Sequence, residues 1–165
     1  YEDGSVPGLS PLHLEADAVY CSHEHRDHGN RAAVALSGKP CAVEVEELAT
    51  WHDEVQGAKR GPNTMRIFSA EGLRVAHLGD LGCGLTPEQA EALSGLDALL
   101  IPVVDQLKPR VVVPMHYRGK DFGYEVIGSV EDFLALQSGV VRYEGNVLEL
   151  TQDTPAQTAV LTYLG

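Results

Sequence analysis

Three histidines and one aspartate stand within six residues, in the sequence HEHRDH at positions 23–28. The apolar run 18–21 comes directly before them and predicts a buried strand that ends where the polar cluster begins. Residues two apart in an extended segment point to the same side, so His23 and His25 can bind one ion. Asp27 and His28 follow where the chain turns and can reach a neighbouring ion. A solvated charged loop is the competing interpretation, but the density of ligand-type side chains favours a metal site, with Zn²⁺, Mn²⁺ or Fe²⁺ as suitable ions.

Other histidines of the chain also fall at the ends of predicted elements. His52 closes one predicted strand, His77 and Asp80 stand at the end of another, and His116 follows a third. Glycines around Asp80 leave room for close approach of the backbone. Only His13 lacks such a context, and we expect it to be a surface or packing residue. The sequence therefore predicts that ligands from distant segments converge.

Length and composition favour one soluble domain over residues 1–165. The chain has 165 residues, of which 44% are hydrophobic, and no apolar run reaches the roughly 18–20 residues that cross a bilayer. Asp and Glu outnumber Lys and Arg by 24 to 12, giving a formal charge of −12. An acidic surface repels phosphate backbones, so we expect neither nucleic acid nor a membrane as partner. Three cysteines without a CxxC pair favour a reducing compartment and a cytoplasmic location.

Predicted strands and helices are interleaved, which indicates an α/β fold. The turn residues 70–72 between two apolar runs predict a β-hairpin, and Thr86 followed by Pro87 predicts the start of a helix. Strands are predicted over 18–21, 43–51, 64–69, 73–78, 97–101, 110–114, 147–150 and 159–163, and helices over 31–36, 86–94 and 129–137.

These motifs and their order resemble the metallo-β-lactamase superfamily. Within it, the chain is similar to the lactonase-like branch of metal-dependent hydrolases that includes ascorbate-6-phosphate lactonase. The HxHxDH motif is already fairly specific, and a spaced histidine, a Gly-Asp pair and a PMHY sequence follow it in order. The stretches that carry the resemblance are CSHEHRDHGN (21–30), WHDEVQGAKRGPNTMRIFSAEGLRVAHLGDLG (51–82), LTPEQAEALSGLDALLIPV (85–103) and LKPRVVVPMHYR (107–118).

The resemblance implies a role for each ligand. The first metal ion would be held by His23, His25 and His52, and the second by Asp27, His28 and His116. Asp80 would bridge the two ions, and Asp80 and Asp27 are the candidate catalytic residues. Redox-active diiron members carry an acidic residue at the position of His25, so the histidine favours a hydrolytic site with two divalent ions, Zn²⁺ first and Mn²⁺ or Fe²⁺ as alternatives.

The fold implied by the resemblance is a metallo-β-lactamase-like αββα sandwich. Family members begin with a β-hairpin region that ends in an Asp-Pro segment, and this sequence begins just after it. They also carry a Gly-Gly segment and a helix after the strand that corresponds to 101–103, where this sequence continues directly into 104–109. We therefore expect a sandwich that is incomplete at the N-terminus and near residues 103–104.

The implied activity is hydrolysis by a metal-bound hydroxide, because a divalent ion lowers the pKa of its bound water. The expected substrate is a small ester or lactone, with an anionic group as one option. His77, Arg60 and Arg118 are the candidate substrate contacts. A phosphodiesterase or nuclease of the same superfamily, and a metal-binding scaffold without turnover, are the alternatives. Assembly into a homo-oligomer stays open.

Overall fold

The computed structural model describes residues 1–101, 107 and 109–164, and over these ranges the protein has an α/β fold. The strands are β1 (Leu14–Ala16), β2 (Val34–Leu36), β3 (Glu44–Trp51), β4 (Pro62–Ala70), β5 (Leu73–His77), β6 (Ala98–Ile101), β7 (Val111–Pro114), β8 (Val140–Arg142) and β9 (Gln157–Val160). The helices are α1 (Pro87–Ala92) and α2 (Val130–Leu134), with a 3₁₀ turn at Arg31–Ala33.

Seven strands form one sheet in the order β3-β4-β5-β6-β7-β9-β8. β3, β4 and β5 are antiparallel neighbours, whereas the neighbours from β5 to β8 are parallel. Glu71 and Gly72 connect β4 to β5 with φ values of 53° and 75°, as a two-residue hairpin turn requires. The predicted α/β class and the predicted hairpin are confirmed.

The main core lies against the centre of this sheet. Asn63, Met65 and Ile67 alternate with more exposed residues along β4 and are at most 1% exposed, as expected for a strand with one buried face. Leu93 and Leu96, which follow α1, pack into the same cluster. α1 begins at a capping box, in which Thr86 and Gln89 exchange side-chain and backbone hydrogen bonds.

Several sequence-based boundaries were wrong. Residues 18–21 form no strand; β1 lies just before them and pairs in parallel with β2. The helix predicted over 31–36 is a single 3₁₀ turn followed by β2, because pairing with β1 replaces helical hydrogen bonds that so short a helix cannot sustain.

The elements near the C-terminus also differ from their predicted positions. Residues 147–150 form no strand, and Leu148 and Leu150 instead pack as side chains against a smaller core cluster. The last strand, β9, lies at Gln157–Val160 rather than 159–163, and its partner β8 was not predicted. The predicted helix over 129–137 is limited to Val130–Leu134.

The two sheets are unequal in size within the described ranges. Besides the seven-stranded sheet, these ranges contain only the two-stranded sheet of β1 and β2. The predicted gap near residues 103–104 lies outside the described residues. No helix in the described part of the chain is both long and apolar enough to cross a membrane.

Candidate metal centre

The candidate ligands lie at one edge of the seven-stranded sheet. His52 follows β3, Asp80 comes three residues after β5, and His116 comes two residues after β7. β3, β5 and β7 run in the same direction, so their carboxyl ends meet at this edge. The segment that contains the HxHxDH motif reaches the same edge, where the Thr64 N–H donates to the Ser22 carbonyl at 2.9 Å.

Asp80 is at the centre of the cluster. Its Oδ2 lies 3.3 Å from Nε2 of His28, 3.3 Å from Nε2 of His52 and 4.0 Å from Nε2 of His23. Its other oxygen, Oδ1, lies 3.1 Å from Nδ1 of His116. The carboxylate therefore lies close to candidate ligands from three other segments of the chain, which are the HxHxDH motif, His52 and His116.

The ligand atoms fall into three overlapping groups, each with all its atoms within 4.8 Å of one another. Two of the groups correspond to the two sets of three ligands that the family resemblance implied, and the third contains Asp80 together with one histidine from each set. The groups are His23, His25 and His52; Asp27, His28 and His116; and His23, His28 and Asp80. All seven predicted ligands are thus brought together.

Two buried atoms in the cluster fit a bound cation. Nε2 of His23 and Oδ1 of Asp80 are buried side-chain atoms that make no hydrogen bond of good geometry, although Nδ1 of His116 lies 3.1 Å from Oδ1. Leaving such atoms unpaired costs about 1–3 kcal/mol each. Nδ1 of His23 already contacts the Ser22 hydroxyl at 3.0 Å, which leaves Nε2 as the nitrogen that faces the cluster. Neutral imidazole and carboxylate donors in this arrangement suit Zn²⁺.

The protonation equilibria of His23 and His28 favour metal binding. Burial and the neighbouring imidazoles lower the pKa of His23 to about 4, and burial also lowers the pKa of His28. Both rings are therefore neutral at pH 7, as a metal ligand must be. Burial alone would raise the pKa of Asp80, but the close approach of His116 and the surrounding imidazoles outweigh it and hold that pKa below its ordinary value. The same carboxylate raises the pKa of His116.

Backbone geometry next to the ligands is tightly constrained. Gly79, at φ 58°, precedes Asp80, and a Cβ at this position would lie 2.2 Å from Oδ1 of Asn63 and 2.5 Å from Cβ of Ser22. His116 itself adopts φ 56°, a left-handed conformation that costs a non-glycine residue about 1–2 kcal/mol. The fold therefore keeps strained backbone where the side chain of His116 must point at Asp80.

Asp53 organises the loop after His52, and sequence reasoning missed it. It is 3% exposed, and burial would raise its pKa, but hydrogen bonds from the backbone outweigh burial and lower it. The only signal in the sequence was a loop with two glycines directly after His52. The carboxylate accepts four backbone N–H groups at 2.7 to 3.0 Å, those of Val55, Gly57, Lys59 and Arg60.

The three candidate substrate contacts lie in different places. His77 lines a cavity beside the cluster, and its Nδ1 accepts a hydrogen bond of 3.0 Å from the Gly79 N–H. Arg60 is an exposed residue of the loop that Asp53 holds. Arg118 pairs with Ser129 through its backbone and lines surface depressions away from the ligands. The structure thus brings only His77 to the cavity wall.

Comparison with solved structures gives a match over nearly the whole chain. The match is a crystal structure from Thermotoga maritima, described as a proposed Zn-dependent hydrolase of the metallo-β-lactamase superfamily. It shares 28% sequence identity with this chain, covers 92% of this chain and 87% of its own, and superposes with a TM-score of 0.68. No curated protein matches this sequence significantly.

A family model for the β-lactamase superfamily domain matches residues 4–116. This range is more than half of the chain, and it includes every candidate ligand. The agreement of the family match, the structural match and the sheet topology has one explanation. The chain belongs to the metallo-β-lactamase superfamily.

Proposed function

We propose that the protein is a hydrolase that uses two divalent metal ions, with Zn²⁺ as the best-suited ion, to cleave a small ester or lactone. The observation that carries this proposal is the arrangement of the ligand atoms into two sets of three, joined by the central Asp80 carboxylate. The Thermotoga maritima structure is described as a proposed Zn-dependent hydrolase, which supports the reaction class. The ester or lactone substrate rests on the resemblance to the lactonase-like branch.

One ion would be held by His23, His25 and His52 and the other by Asp27, His28 and His116, with Asp80 shared. Bound divalent ions would supply Lewis-acid chemistry, which lowers the pKa of water and polarises a carbonyl oxygen. The burial of Asp80, at 5% exposed, keeps bulk water away from its carboxylate. Its fixed position would orient the attacking water towards the substrate.

Asp27 is the side chain that we expect to move the proton. Its carboxylate lines the cavity beside the cluster, and its Oδ2 is 3.7 Å from Nε2 of His28. It can therefore accept a proton from water at the cavity wall. Because Asp27 contacts both the cavity and the neighbouring candidate ligand His28, its position supports a role both as ligand and as base.

The test measures metal content and turnover together. Protein purified without chelator is loaded with Zn²⁺ or Mn²⁺, its metal content is measured by mass spectrometry, and it is assayed with 4-nitrophenyl acetate, γ-butyrolactone and bis(4-nitrophenyl) phosphate. We expect about two ions per chain and hydrolysis of the ester or the lactone. Faster cleavage of the phosphodiester would indicate a phosphodiesterase, and bound metal without turnover of any substrate would indicate a scaffold.

Two variants make the result specific to the cluster. Asp80→Ala should retain the fold, as judged by circular dichroism, and lose at least about 100-fold in kcat/KM, the upper range for residues that support a metal site. His13→Ala changes an exposed histidine outside the cluster and should keep both metal content and turnover. Unchanged turnover in Asp80→Ala would refute the proposed role of Asp80.

A further inference from the structure

A cavity of about 430 Å³ opens directly beside the candidate metal centre. Asp27, His28 and His116 form one of its walls, so the cavity is continuous with one set of candidate ligands. Its volume lies within the range of about 300–1,000 Å³ that is typical of small-molecule sites. A substrate with its scissile group at the ligands would therefore place its remaining atoms in this cavity.

The walls away from the ligands are apolar. Phe122 packs between Tyr117 and Tyr163 in tilted arrangements, with ring centroids 6.2 and 5.2 Å away and interplanar angles of 54° and 58°. Segments near both ends of the described chain contribute to these walls. The aliphatic and aromatic lining includes Val6, Leu9, Met115, Phe122, Ile127 and Leu161.

Four tyrosines also line the cavity, but their hydroxyl groups already have backbone partners. Three donate to carbonyl oxygens: Tyr1 to Ser10, Tyr124 to Ser5 at 2.6 Å, and Tyr117 to Leu161 at 3.4 Å. The hydroxyl of Tyr163 accepts from the Ser10 N–H at 2.7 Å. These hydrogen bonds hold the polar ends in place, so the tyrosines present ring surface to a ligand.

The charge of the lining argues against an anionic occupant. Among the described residues that line the cavity there is no lysine or arginine, and Arg60 and Arg118 are not among them. Beyond the candidate ligands, the polar side chains are few and include His77 and Asn146. A carboxylate or phosphate placed against the walls away from the ligands would lose its hydration without gaining a lysine or arginine partner, and this costs several kcal/mol.

We propose that this cavity binds the uncharged, apolar acyl group of the substrate. The assignment rests on the proposed function, which places the scissile carbonyl at the ligands. Under this proposal the substrate lacks the anionic group that the sequence left as an option, and the acyl group is selected by its apolar surface and not by ion pairing. Because Nδ1 of the neutral His77 ring accepts from the Gly79 N–H, the proton of this ring lies on Nε2.

The first test compares esters with one leaving group and different acyl chains. Metal-loaded protein is assayed with 4-nitrophenyl acetate, butyrate and hexanoate, and with the hemiglutarate, whose chain ends in a carboxylate. We expect kcat/KM to rise about fourfold per added methylene until the cavity is full, which corresponds to about 0.8 kcal/mol per buried CH₂. The hemiglutarate should be at least tenfold slower than the hexanoate. A flat series, or a preference for the hemiglutarate, would overturn the inference and leave the proposed hydrolase intact.

A matched pair of variants tests whether the preference for longer acyl chains arises in this cavity. Ile127→Trp adds bulk to the cavity wall, whereas Val126→Trp introduces the same side chain at a position that is 94% exposed and does not line the cavity. We expect the hexanoate-to-acetate ratio of kcat/KM to fall at least tenfold in Ile127→Trp and to stay unchanged in Val126→Trp. Equal ratios in the two variants would place the acyl group elsewhere.

A binding measurement keeps this inference separate from the proposed function. Octan-2-one is neutral and apolar and cannot be hydrolysed, so its binding by isothermal titration calorimetry needs no turnover. We expect binding to the unaltered protein and to Val126→Trp, and at least tenfold weaker binding to Ile127→Trp. If no ester is hydrolysed but this pattern holds, the proposed function fails and the assignment of the cavity stands. If octan-2-one does not bind, or binds all three proteins equally, the assignment is refuted.

Discussion

The side chain of Asn63 fixes the backbone of Asp80. Its Oδ1 accepts a hydrogen bond of 3.0 Å from the Asp80 N–H, and its Nδ2 donates to the Leu78 carbonyl at 2.9 Å. Asn63 is only 1% exposed, so no water can replace either bond. The amide thus connects the start of β4 to the turn that carries the central carboxylate of the candidate site.

We predict that Asn63→Leu weakens both the fold and metal binding. The substitution leaves a buried N–H and a buried carbonyl unpaired, so the free energy of unfolding should fall by about 2–4 kcal/mol. Zinc affinity, measured by competition with a chromophoric chelator, should fall about 10–100-fold because Asp80 is no longer held in place. Gln152→Ala removes an exposed amide and should change neither quantity. Unchanged zinc affinity in Asn63→Leu would exclude this positioning role.

We predict that Gly79→Ala disrupts the turn that carries Asp80, because the added methyl group would collide with the Asn63 side chain. Its Cβ would overlap Asn63 and Ser22, and the φ of 58° is unfavourable for alanine. Thermal unfolding should show a loss of more than about 2 kcal/mol, as expected for backbone strain combined with overpacking. Gly84→Ala is the matched control, since no atom lies within 4 Å of its added Cβ. Similar melting temperatures for the two variants would contradict the close contact at Gly79.

The sequence alone predicted the hairpin from a local pattern and the clustering of the ligands from their density and order along the chain. Glu71 and Gly72 form a local turn whose conformation depends on two residues. The ligands could be found because metal-binding side chains are rare in such density and because their order resembles a known family. The turn residues and the order of the ligands can both be recognised without knowing which segments pack together.

The supporting residues could not be found in the same way. Asn63 and Asp53 act through hydrogen bonds to the backbone, and their side chains look like those of any polar residue until the partners are placed. β1 and β2 are three residues long and are stabilised by each other, so neither has a sufficient local signal. The apolar cavity combines residues from the two ends of the chain, which only the tertiary fold brings together.

We predict that Asp97 makes stability depend on pH in the acid range. Its Oδ1 lies 2.6 Å from Nη2 of Arg110 and its Oδ2 accepts from the Arg74 N–H at 2.9 Å. The Arg110 guanidinium and the Arg74 N–H hold the pKa of Asp97 below its ordinary value. A carboxyl group with a lowered folded-state pKa stabilises the fold above its unfolded pKa of about 3.9 and loses this effect as the pH falls through the folded value.

Urea unfolding of metal-free protein at pH 7, 4 and 3 tests this prediction. Asp97→Asn should lower the free energy of unfolding by about 1.5 kcal/mol at pH 7, as for a hydrogen bond to a charged group. The difference from the unaltered protein should shrink as the pH falls. Asp153→Asn, at an exposed carboxyl group, should show no such dependence. A difference for Asp97→Asn that is equal at all three pH values would refute the electrostatic explanation.

We predict that metal binding stabilises the protein through the ligand cluster. A ligand that binds only the folded state adds about 2.7 kcal/mol at a free concentration of 100 times its Kd, so Zn²⁺ should raise the melting temperature of chelator-treated protein as its concentration increases. His116→Ala should reduce both the bound metal and this shift, because it removes one of the three ligands in its set. His13→Ala should retain both. A melting temperature that does not respond to Zn²⁺ in the unaltered protein would mean that the histidines and carboxylates of this edge do not bind the ion in the folded state.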